Sequence, residues 1–527
     1  MFQKTVTTYR NTSIASLSKT CKTLNQLKQI HAYLLKSILH ETPFAIGPIL
    51  SVAATSKDDT FFTYANAIFR NLILRNTFMF NTMIRGNVER NRPVPAILCY
   101  KEMLNCGFLA NNYTFTPLIK ACSMLDCRKI GFLVHAHVVV LGFCGDPFVG
   151  SALIEFYSSD LDLRLARVLF DGMPRRDVVL WTVMIDGYGK MGDVENARAL
   201  FDEMPERNVI AWSTMMAAYS RVSEYKEVIS LYSLMQREGV RPNESVLVSV
   251  TTACANLGAL AQGMWIHSFA KQNKLDSNPI LATALVDMYS KCGYLELALS
   301  VFESIAAKDS ASWNAIISGV AINGEAIMSL ELFNKMVKAE VQPNDTTFVA
   351  VFTACTHARL VNKGLELFEQ MNSLYGVEPK YEHHACMVDL LARAGRLEEA
   401  KTFIDNRMGG IGEGDANVWG ALLNACRIYG NVEIGDEVWK RLANMRVSDS
   451  GTHVLSYNIY KEAGWENEAK GVRKLISESR IKKTPGCSVL EVDGMVEEFV
   501  AGDLSHPQAQ EICRMLSSLF NVMHTLE

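Results

Sequence analysis

Apolar side chains recur along this chain with the spacing of amphipathic helices. In the segment 178–208, one helical face follows the i, i+3, i+4, i+7 pattern through Trp181, Met184, Ile185 and Tyr188. Gly192 ends this predicted helix, and Asp193 can cap a second one. Pro205 closes the second helix, whose apolar face consists of Val194, Ala197, Leu200, Phe201 and Met204. The pattern predicts a helix hairpin.

The same hairpin is written repeatedly. VLFDGMPRRDVVLW begins at residue 168 and ALFDEMPERNVIAW at residue 199. One hairpin buries about eight side chains at ~1.5–3 kcal/mol each, which cannot offset ordering roughly thirty residues at ~1–2 kcal/mol apiece. Stacked copies can, so the sequence predicts an all-α solenoid. Its units are 35-residue copies at 77–111, 209–243 and 310–344, 31-residue copies at 147–177, 178–208 and 279–309, a third kind at 112–146, 244–278 and, longer, 345–380, degraded copies at 11–42 and 43–76, and variant copies from 381 onward.

The period changes near the end of the chain. Two short β-prone runs, Ser488–Val492 and Met495–Val500, flank Asp493-Gly494 and predict a β-hairpin. A last helix is predicted from about Pro507, with an apolar face made of Ile512, Leu516, Leu519, Phe520 and Met523.

Composition narrows the function classes. The 527 residues are 49% apolar with a net charge of −4, so bulk charge gives no reason to expect nucleic acid. No stretch approaches the roughly 18 uninterrupted apolar residues of a membrane helix, so no contact with a membrane is expected. The thirteen cysteines include no C-x-x-C pair. Five follow a small or polar residue at one repeat position and are predicted to be small buried side chains without a cofactor or metal: Cys21, Cys122, Cys254, Cys355 and Cys426.

The first forty residues contain no acidic residue and many Ser, Thr and Lys. This composition is typical of an organelle transit peptide, and a solvated basic helix face is the alternative. We predict that residues 1–13 are a transit segment. The expected destination is the mitochondrion, with the chloroplast as the alternative.

The repeats resemble those of plant pentatricopeptide repeat proteins of the PLS subfamily. The resemblance rests on the alternating repeat lengths, the Trp313-Asn314 phrase, the GVRPN ending at 239–243, and PGCSVLEVDG at 485–494, which is similar to the family's PG box. It implies a right-handed superhelical solenoid of helix-turn-helix repeats with a small C-terminal β-hairpin plus helix. The implied divisions are repeats of P, L and S type over 14–415, E motifs over 416–485, and a PG-box or E-plus-like extension over 486–527.

The chain departs from the fullest members of that family. There the PG box opens a deaminase-like domain with H-x-E and C-x-x-C zinc motifs and an Asp-Tyr-Trp end. This sequence has neither motif, ends in HTLE, and carries Val489 where the PG box usually has Trp. It therefore resembles an E or E-plus type member, and no catalytic role is expected of it.

The resemblance also implies that each repeat reads one base of single-stranded RNA with its fifth and last residues. Thr or Ser with Asn favours adenine, Thr or Ser with Asp favours guanine, and Asn with Asn favours a pyrimidine. The implied target over 77–344 is Y-(G)-G-A-A-n-G-Y. Val248 and Val349, at the fifth positions of two long repeats, imply apolar contact with a base or wedging between bases. The pairs are Asn81/Asn111, Thr116/Asp146, Ser151/Asp177, Thr182/Asn208, Ser213/Asn243, Val248/Asn278, Thr283/Asp309 and Asn314/Asn344. The variant repeat 381–415 is expected over the base four before an edited cytidine.

Other interpretations of these side chains compete with base reading. Asn and Asp at helix ends are common caps, and Thr near a helix start is ordinary. His135 and His267 share one repeat position and are predicted to be structural, as are the histidines at 137, 383 and 384. The tryptophans recur in register and are predicted to be core: Trp181, Trp212, Trp313 and Trp419.

Three functions follow from the pattern and its resemblance. The first is a site-recognition factor for organellar C-to-U RNA editing, whose deaminase is supplied in trans and docks at 416–527. The second is an organellar factor for RNA stabilisation, splicing or processing, and the third is a helical protein–protein scaffold. An enzyme acting alone is the least favoured, because no nucleophile, metal or acid–base set is recognisable.

Overall fold

The computed structural model describes residues 21, 23–36, 43–125, 127–159, 162–407, 416–445, 450–478, 487–492, 495–500 and 502–526. Within these ranges the chain is a succession of helix hairpins followed by one two-stranded sheet and a last helix. The predicted all-α solenoid is therefore confirmed. No helix in the described ranges has both the length and the apolarity required to span a lipid bilayer.

We call the first helix of each repeat A and the second B. The A helices are Pro43–Thr55, Thr77–Glu89, Asn112–Met124, Pro147–Ser159, Val178–Lys190, Val209–Arg221, Glu244–Leu257, Pro279–Lys291, Ser310–Ile322, Asp345–His357, Tyr381–Arg393, Ala416–Tyr429 and Ser450–Glu462. The B helices are Leu24–Lys36, Asp59–Asn71, Pro93–Asn105, Arg128–Val140, Leu163–Gly172, Val194–Glu203, Tyr225–Arg237, Leu260–Gln272, Leu295–Ser304, Ala326–Lys338, Val361–Ser373, Leu397–Arg407, Val432–Asn444 and Glu466–Glu478.

The helices form two compact units, 1–223 and 224–527, whose boundary falls inside the repeat 209–243. Within each unit every A helix packs on the A helix of the next repeat, and each B helix packs on the A helix of its own repeat. Within each unit the A helices therefore form a layer, and the B helices cover one side of it. The predicted transit segment and the insertion-like GGIGEGD at 409–415 lie outside the described residues.

The hairpin predicted for 178–208 is confirmed. Gly192 has the left-handed φ of +77° that the turn requires, and Asp193 accepts the N–H of Asn196 at 3.2 Å to cap the B helix. The four predicted apolar residues of the A helix are all buried. The B helix ends one residue before Met204, which is buried as its C-cap.

The repeated LFD-x-MP-x-R segment caps the C-terminus of one B helix and packs against the A helix of the next repeat. Arg207 donates to the carbonyls of Phe201 and Asp202 at 2.9 and 3.0 Å, which satisfies acceptors at the C-terminus of the B helix. Its guanidinium lies over the Phe201 ring, and that ring meets Trp212 edge-to-face with centroids 4.9 Å apart. The preceding copy is built in the same way from Arg176, Phe170 and Trp181.

Glycine permits a close approach between successive A helices. A Cβ atom at Gly187 would lie 2.5 Å from Oγ and 2.9 Å from Cβ of Ser158, and one at Gly319 would lie 2.2 Å from Oγ of Ser290. Both glycines belong to the repeat phrase in which Gly follows the Trp by six residues. The phrase therefore specifies the contact between neighbouring A helices.

The C-terminal region has the predicted period change. Strands Cys487–Val492 and Met495–Val500 pair antiparallel, with Val492 opposite Met495, and a helix follows at Ala509–Leu526. The hairpin and the last helix are thus confirmed, while Pro485-Gly486 and Asp493-Gly494 lie outside the described residues.

Replacing Gly187 by alanine is predicted to lower the free energy of unfolding by about 1–3 kcal/mol, because the added methyl overpacks the contact with Ser158. Circular dichroism on heating measures the change. Gly172→Ala is the matched control, since a Cβ there meets nothing within 4 Å. Equal melting temperatures for the two variants would contradict this packing.

Candidate nucleic-acid interface

The last residue of each predicted base-reading pair is the N-cap of the A helix that follows. In every case its Oδ1 accepts the backbone N–H three residues further along, at 2.9–3.2 Å. The capping interpretation of these residues is therefore confirmed. They are Asn111, Asp146, Asp177, Asn208, Asn243, Asn278, Asp309 and Asn344.

Capping engages Oδ1 of these side chains and leaves their second polar group available for another hydrogen bond. Because Oδ1 must be the acceptor, an asparagine keeps its Nδ2 donor and an aspartate keeps its Oδ2 acceptor. Asp177, Asn208 and Asp309 are exposed, so their remaining groups can meet a ligand. Asp146 differs, because its Oδ2 already accepts from Nδ2 of Asn112 at 3.1 Å.

The hydroxyl-bearing fifth residues have one fixed orientation. Those of Thr116, Ser151, Thr182 and Thr283 donate to the carbonyl one turn earlier at 2.6–3.1 Å. The Ser213 hydroxyl donates to the carbonyl of Ile210 at 2.9 Å. Since the single hydroxyl proton is used, each side chain presents acceptor lone pairs.

Together the fifth and last residues present a small set of hydrogen-bonding patterns. A hydroxyl followed by Asn offers an acceptor and a donor, which complements the amine and ring nitrogen of adenine. A hydroxyl followed by Asp offers two acceptors, which complements the ring N–H and amine of guanine. Val248 and Val349, both half-buried, offer only an apolar surface.

In each of the two Asn–Asn pairs, the fifth and the last residue form a direct side-chain hydrogen bond. Nδ2 of Asn81 donates to Oδ1 of Asn111 at 2.9 Å, and Nδ2 of Asn314 donates to Oδ1 of Asn344 at 3.0 Å. The structure thus brings together the fifth and last residues that the sequence paired across 30 positions, in each of the two units.

A cleft of about 330 Å³ opens on the A layer of the first unit. Thr182, Asp186 and Lys190 line it from one A helix, because residues four apart share a helical face. Glu155 enters from the A helix before and Thr214 from the A helix after. The predicted base-reading residue Thr182 therefore lies in the same cleft as the ionisable side chains of Asp186 and Lys190, one and two helical turns further along.

Sequence reasoning missed the charges of this face. Lys190 pairs with Asp186 at 2.7 Å, and Arg221 from the next A helix reaches the same carboxylate at 3.3 Å. In the second unit the same spacing pairs Lys291 with Asp287 at 3.0 Å. The sequence does contain this pattern, as an acidic residue followed four positions later by a basic one at the same place in two repeats. These cations are therefore partly neutralised by their carboxylate partners.

Comparisons with known proteins decide the family. The pentatricopeptide repeat model matches residues 179–209, 210–240, 281–309 and 346–374, and a second repeat-family model matches 75–124 and 308–357. A putative chloroplastic pentatricopeptide repeat-containing protein of Arabidopsis thaliana is 42% identical over 518 residues, which cover 98% of this chain and 93% of the relative. The chain belongs to the pentatricopeptide repeat family.

Other relatives and a solved structure agree with this assignment. A mitochondrial pentatricopeptide repeat-containing protein of Arabidopsis thaliana is 40% identical over 86% of this chain and 66% of its own. The crystal structure of pentatricopeptide repeat protein PPR10 from maize aligns with a TM-score of 0.53 and 15% identity, covering 89% of this chain and 74% of that one. That likeness shows the shared fold.

The E motif model matches residues 429–491, which overlaps the division predicted at 416–485. In the described residues this region consists of three helices and most of the first hairpin strand, led by Val432–Asn444. The helix Ala509–Leu526 follows it and exposes apolar side chains at Met515, Leu516, Leu519 and Met523. The E motif match thus lies after the pentatricopeptide repeat matches, the last of which ends at residue 374.

The recurring tryptophan and histidine positions of the repeats have structural roles. Nδ1 of His135 is 2.7 Å from the hydroxyl of Tyr157, and Nδ1 of His267 is 2.9 Å from that of Tyr289. Burial lowers the pKa of both imidazoles. His137 contacts Tyr100 instead, so the rings of the HAH segment diverge as predicted. The four predicted core tryptophans are buried.

The repeated cysteines are also structural. Cys122, Cys254, Cys355 and Cys426 are buried, whereas Cys21 is half-buried. Burial raises the pKa of the Cys122 and Cys426 thiols to about 12 and that of Cys355 to about 11. Among the residues that the structure describes, no group of three or more His, Cys, Asp or Glu side chains could hold a metal ion.

The double use of the last residue gives a stability prediction. Asn208→Ala removes the cap of Val209–Arg221 and is expected to lower the free energy of unfolding by about 1 kcal/mol. Asn208→Asp keeps an oxygen for the same N–H and is expected to melt as the native protein does. Thermal unfolding followed by circular dichroism compares the two, and a stability loss as large in the aspartate variant would contradict the capping geometry.

Proposed function

We propose that this chain is a sequence-specific, single-stranded RNA-binding protein of a plant organelle that selects sites for C-to-U editing. The observation that carries the proposal is the constant geometry of the paired positions. Each last residue is held by its capping bond, and the hydroxyl of each Ser or Thr at position five is spent on a backbone carbonyl. Such oriented donors and acceptors suit base edges that are unpaired, as in single-stranded RNA.

The proposed order of bases follows from the orientation of those groups. Thr182 with Asn208 offers an acceptor and a donor and is assigned adenine, as is Ser213 with Asn243. Thr283 with Asp309 offers two acceptors and is assigned guanine, as is Ser151 with Asp177. The full proposal is Y-(G)-G-A-A-n-G-Y, read 5′ to 3′ by the repeats from 77 to 344. The bracketed guanine is the weakest assignment, because Asn112 already occupies one oxygen of Asp146.

Editing enters the proposal through the C-terminal region. The E motif at 429–491 supports it, and the exposed apolar residues of the last helix supply a surface for a deaminase acting in trans. Leu516 is 60% exposed and Met523 is 65% exposed, and both lie on the last helix together with exposed Met515 and Leu519. The chain itself is proposed to act without catalysis.

An organelle is supported by the names of some relatives, of which one is chloroplastic, one mitochondrial and one both. We keep the mitochondrion as the prediction and the chloroplast as its alternative. A fluorescent fusion of the full chain, viewed in plant cells, distinguishes the two.

Binding of the purified chain to RNA containing Y-G-G-A-A-n-G-Y tests base reading. We expect about tenfold tighter binding than to RNA with both adenines changed to guanine, at one fixed salt concentration. The double variant Asn208→Asp with Asn243→Asp should reverse the preference, because a donor becomes an acceptor while the caps survive. Asn431→Asp is the matched control, since it caps a B helix outside the pairs.

The outcomes separate the candidate functions. Binding to neither RNA would remove the proposed code and favour a protein scaffold. A preference that the aspartate variants leave unchanged would contradict base reading by the last residues.

Editing is tested through the last helix. Leu516→Glu with Met523→Glu is expected to abolish editing of the target cytidine in plants that carry only this variant, because it places charge on the docking surface. RNA affinity and melting temperature should stay unchanged. The control, Leu133→Glu, alters an exposed apolar residue of a B helix and should leave editing intact. Normal editing in the double variant would instead support RNA stabilisation or processing as the function.

A further inference from the structure

The asparagines at position five are held by a third residue that lies in the following repeat. The hydroxyl of Thr114 donates to Oδ1 of Asn81 at 2.6 Å, and the hydroxyl of Thr347 donates to Oδ1 of Asn314 at 2.6 Å. Both threonines are fully buried. Each is the third residue of its repeat and belongs to the capping box of its A helix.

The bonds of this network form a chain that fixes the orientation of the asparagine amide. Oδ1 of Asn111 must face the helix, because it accepts the backbone N–H of Thr114 at 3.2 Å. Nδ2 of Asn81 therefore donates to that oxygen at 2.9 Å. Oδ1 of Asn81 is then left to accept the hydroxyl proton of Thr114. A flipped Asn81 would place two carbonyl oxygens against each other.

The threonine hydroxyl is itself oriented. It accepts the backbone N–H of Asn111 at 3.0 Å, and the same bond occurs between Asn344 and Thr347. Its only proton is therefore directed towards the asparagine side chains, and burial excludes water as a substitute. The arrangement occurs twice with distances that agree within 0.1 Å, once in each unit.

Threonine occurs at the third position of the following repeat only where the fifth residue of a pair is asparagine. After the six pairs whose fifth residue is Ser, Thr or Val, the third residue of the next repeat is Val149, Leu180, Ala211, Val246, Leu281 or Ser312. Ser312 has a hydroxyl, but it donates to the carbonyl of Asp309 at 2.9 Å rather than to Thr283. The network is therefore specific to the Asn–Asn pairs.

We propose that Thr114 and Thr347 are positioning residues that set the pyrimidine preference of the two Asn–Asn repeats. With Oδ1 of both asparagines engaged, the pair presents amide N–H donors. The carbonyl oxygen O2, which cytosine and uracil share, is the matching acceptor. The third residue of the following repeat is thus a third specificity-determining position wherever the fifth residue is asparagine. This inference rests on the proposed function.

The test measures base preference one position at a time with the full chain. RNAs of the Y-G-G-A-A-n-G-Y series carry cytosine, uracil, adenine or guanine at the first or the last base. Thr114→Val is isosteric and removes the hydroxyl, and we expect it to lower the pyrimidine-to-purine affinity ratio at the first base about five- to tenfold. The ratio at the last base should not change. Thr347→Val should do the reverse.

Two further variants distinguish positioning from mere stability. Thr114→Ser keeps the hydroxyl and should restore the native ratio, whereas Ser312→Ala removes a hydroxyl at the same repeat position and should change no ratio. Melting temperatures are measured for all variants, and the two valine variants test the same network in separate units, so failure of one to fold leaves the other.

The outcomes separate this inference from the proposed function. Native ratios in both valine variants, with base preference intact elsewhere, would overturn the positioning role alone. Equal loss of affinity for all four bases would also overturn it, because that result indicates a structural role only. A native chain with no preference at any base would overturn both proposals.

Discussion

The Asn or Asp capping bond at the start of the A helices from Asn112–Met124 to Asp345–His357 is the constraint on which the candidate site depends. An asparagine or aspartate oxygen satisfies a helix N-terminus that would otherwise be left with unpaired N–H groups. That bond fixes the side chain of the residue where one repeat ends and the next begins. Because an Asn or Asp stands at each of the eight junctions from residue 111 to residue 344, eight polar groups are held in one orientation relative to their helices. Stability and the candidate recognition chemistry therefore share one set of atoms.

Packing of the A layer depends on small residues that are equally regular. Gly187 and Gly319 admit the neighbouring serine hydroxyls, and Phe–Trp contacts join three of the hairpins to the next. Since each repeat contacts mainly its neighbours, its stability comes from stacking rather than from one central core. The fifth residues are polar apart from Val248 and Val349, and the acid–base pair Lys190–Asp186 lies in the same cleft as Thr182. In the proposed function, RNA phosphates compete with these carboxylates for the cations, which predicts modest, salt-dependent affinity.

The period of the sequence was enough to predict the hairpins, the buried tryptophans and the C-terminal β-hairpin. The resemblance to the family, and not the period, identified Asn208 and its equivalents as candidate base-reading residues. It could not decide between capping and recognition, and the structure shows that capping leaves part of the side chain available. Thr114 and Thr347 were missed because their role depends on the direction of a hydroxyl proton towards a residue 33 positions earlier. The pairing of Arg221 with Asp186 was missed for the same reason, since it joins two helices. The predicted base assignments themselves stay predictions.

The central claim is that each repeat recognises one base through the polar group of its last residue that the capping bond does not engage, which is Nδ2 of asparagine or Oδ2 of aspartate. Asp309→Asn tests it most directly, because it exchanges an exposed acceptor for a donor and keeps the cap of Ser310–Ile322. RNAs selected by the native and variant chains from a library randomised over eight positions would be sequenced and compared. The account predicts that guanine changes to adenine at the seventh position alone. Preferences that stay unchanged, or that change at several positions together, would contradict it.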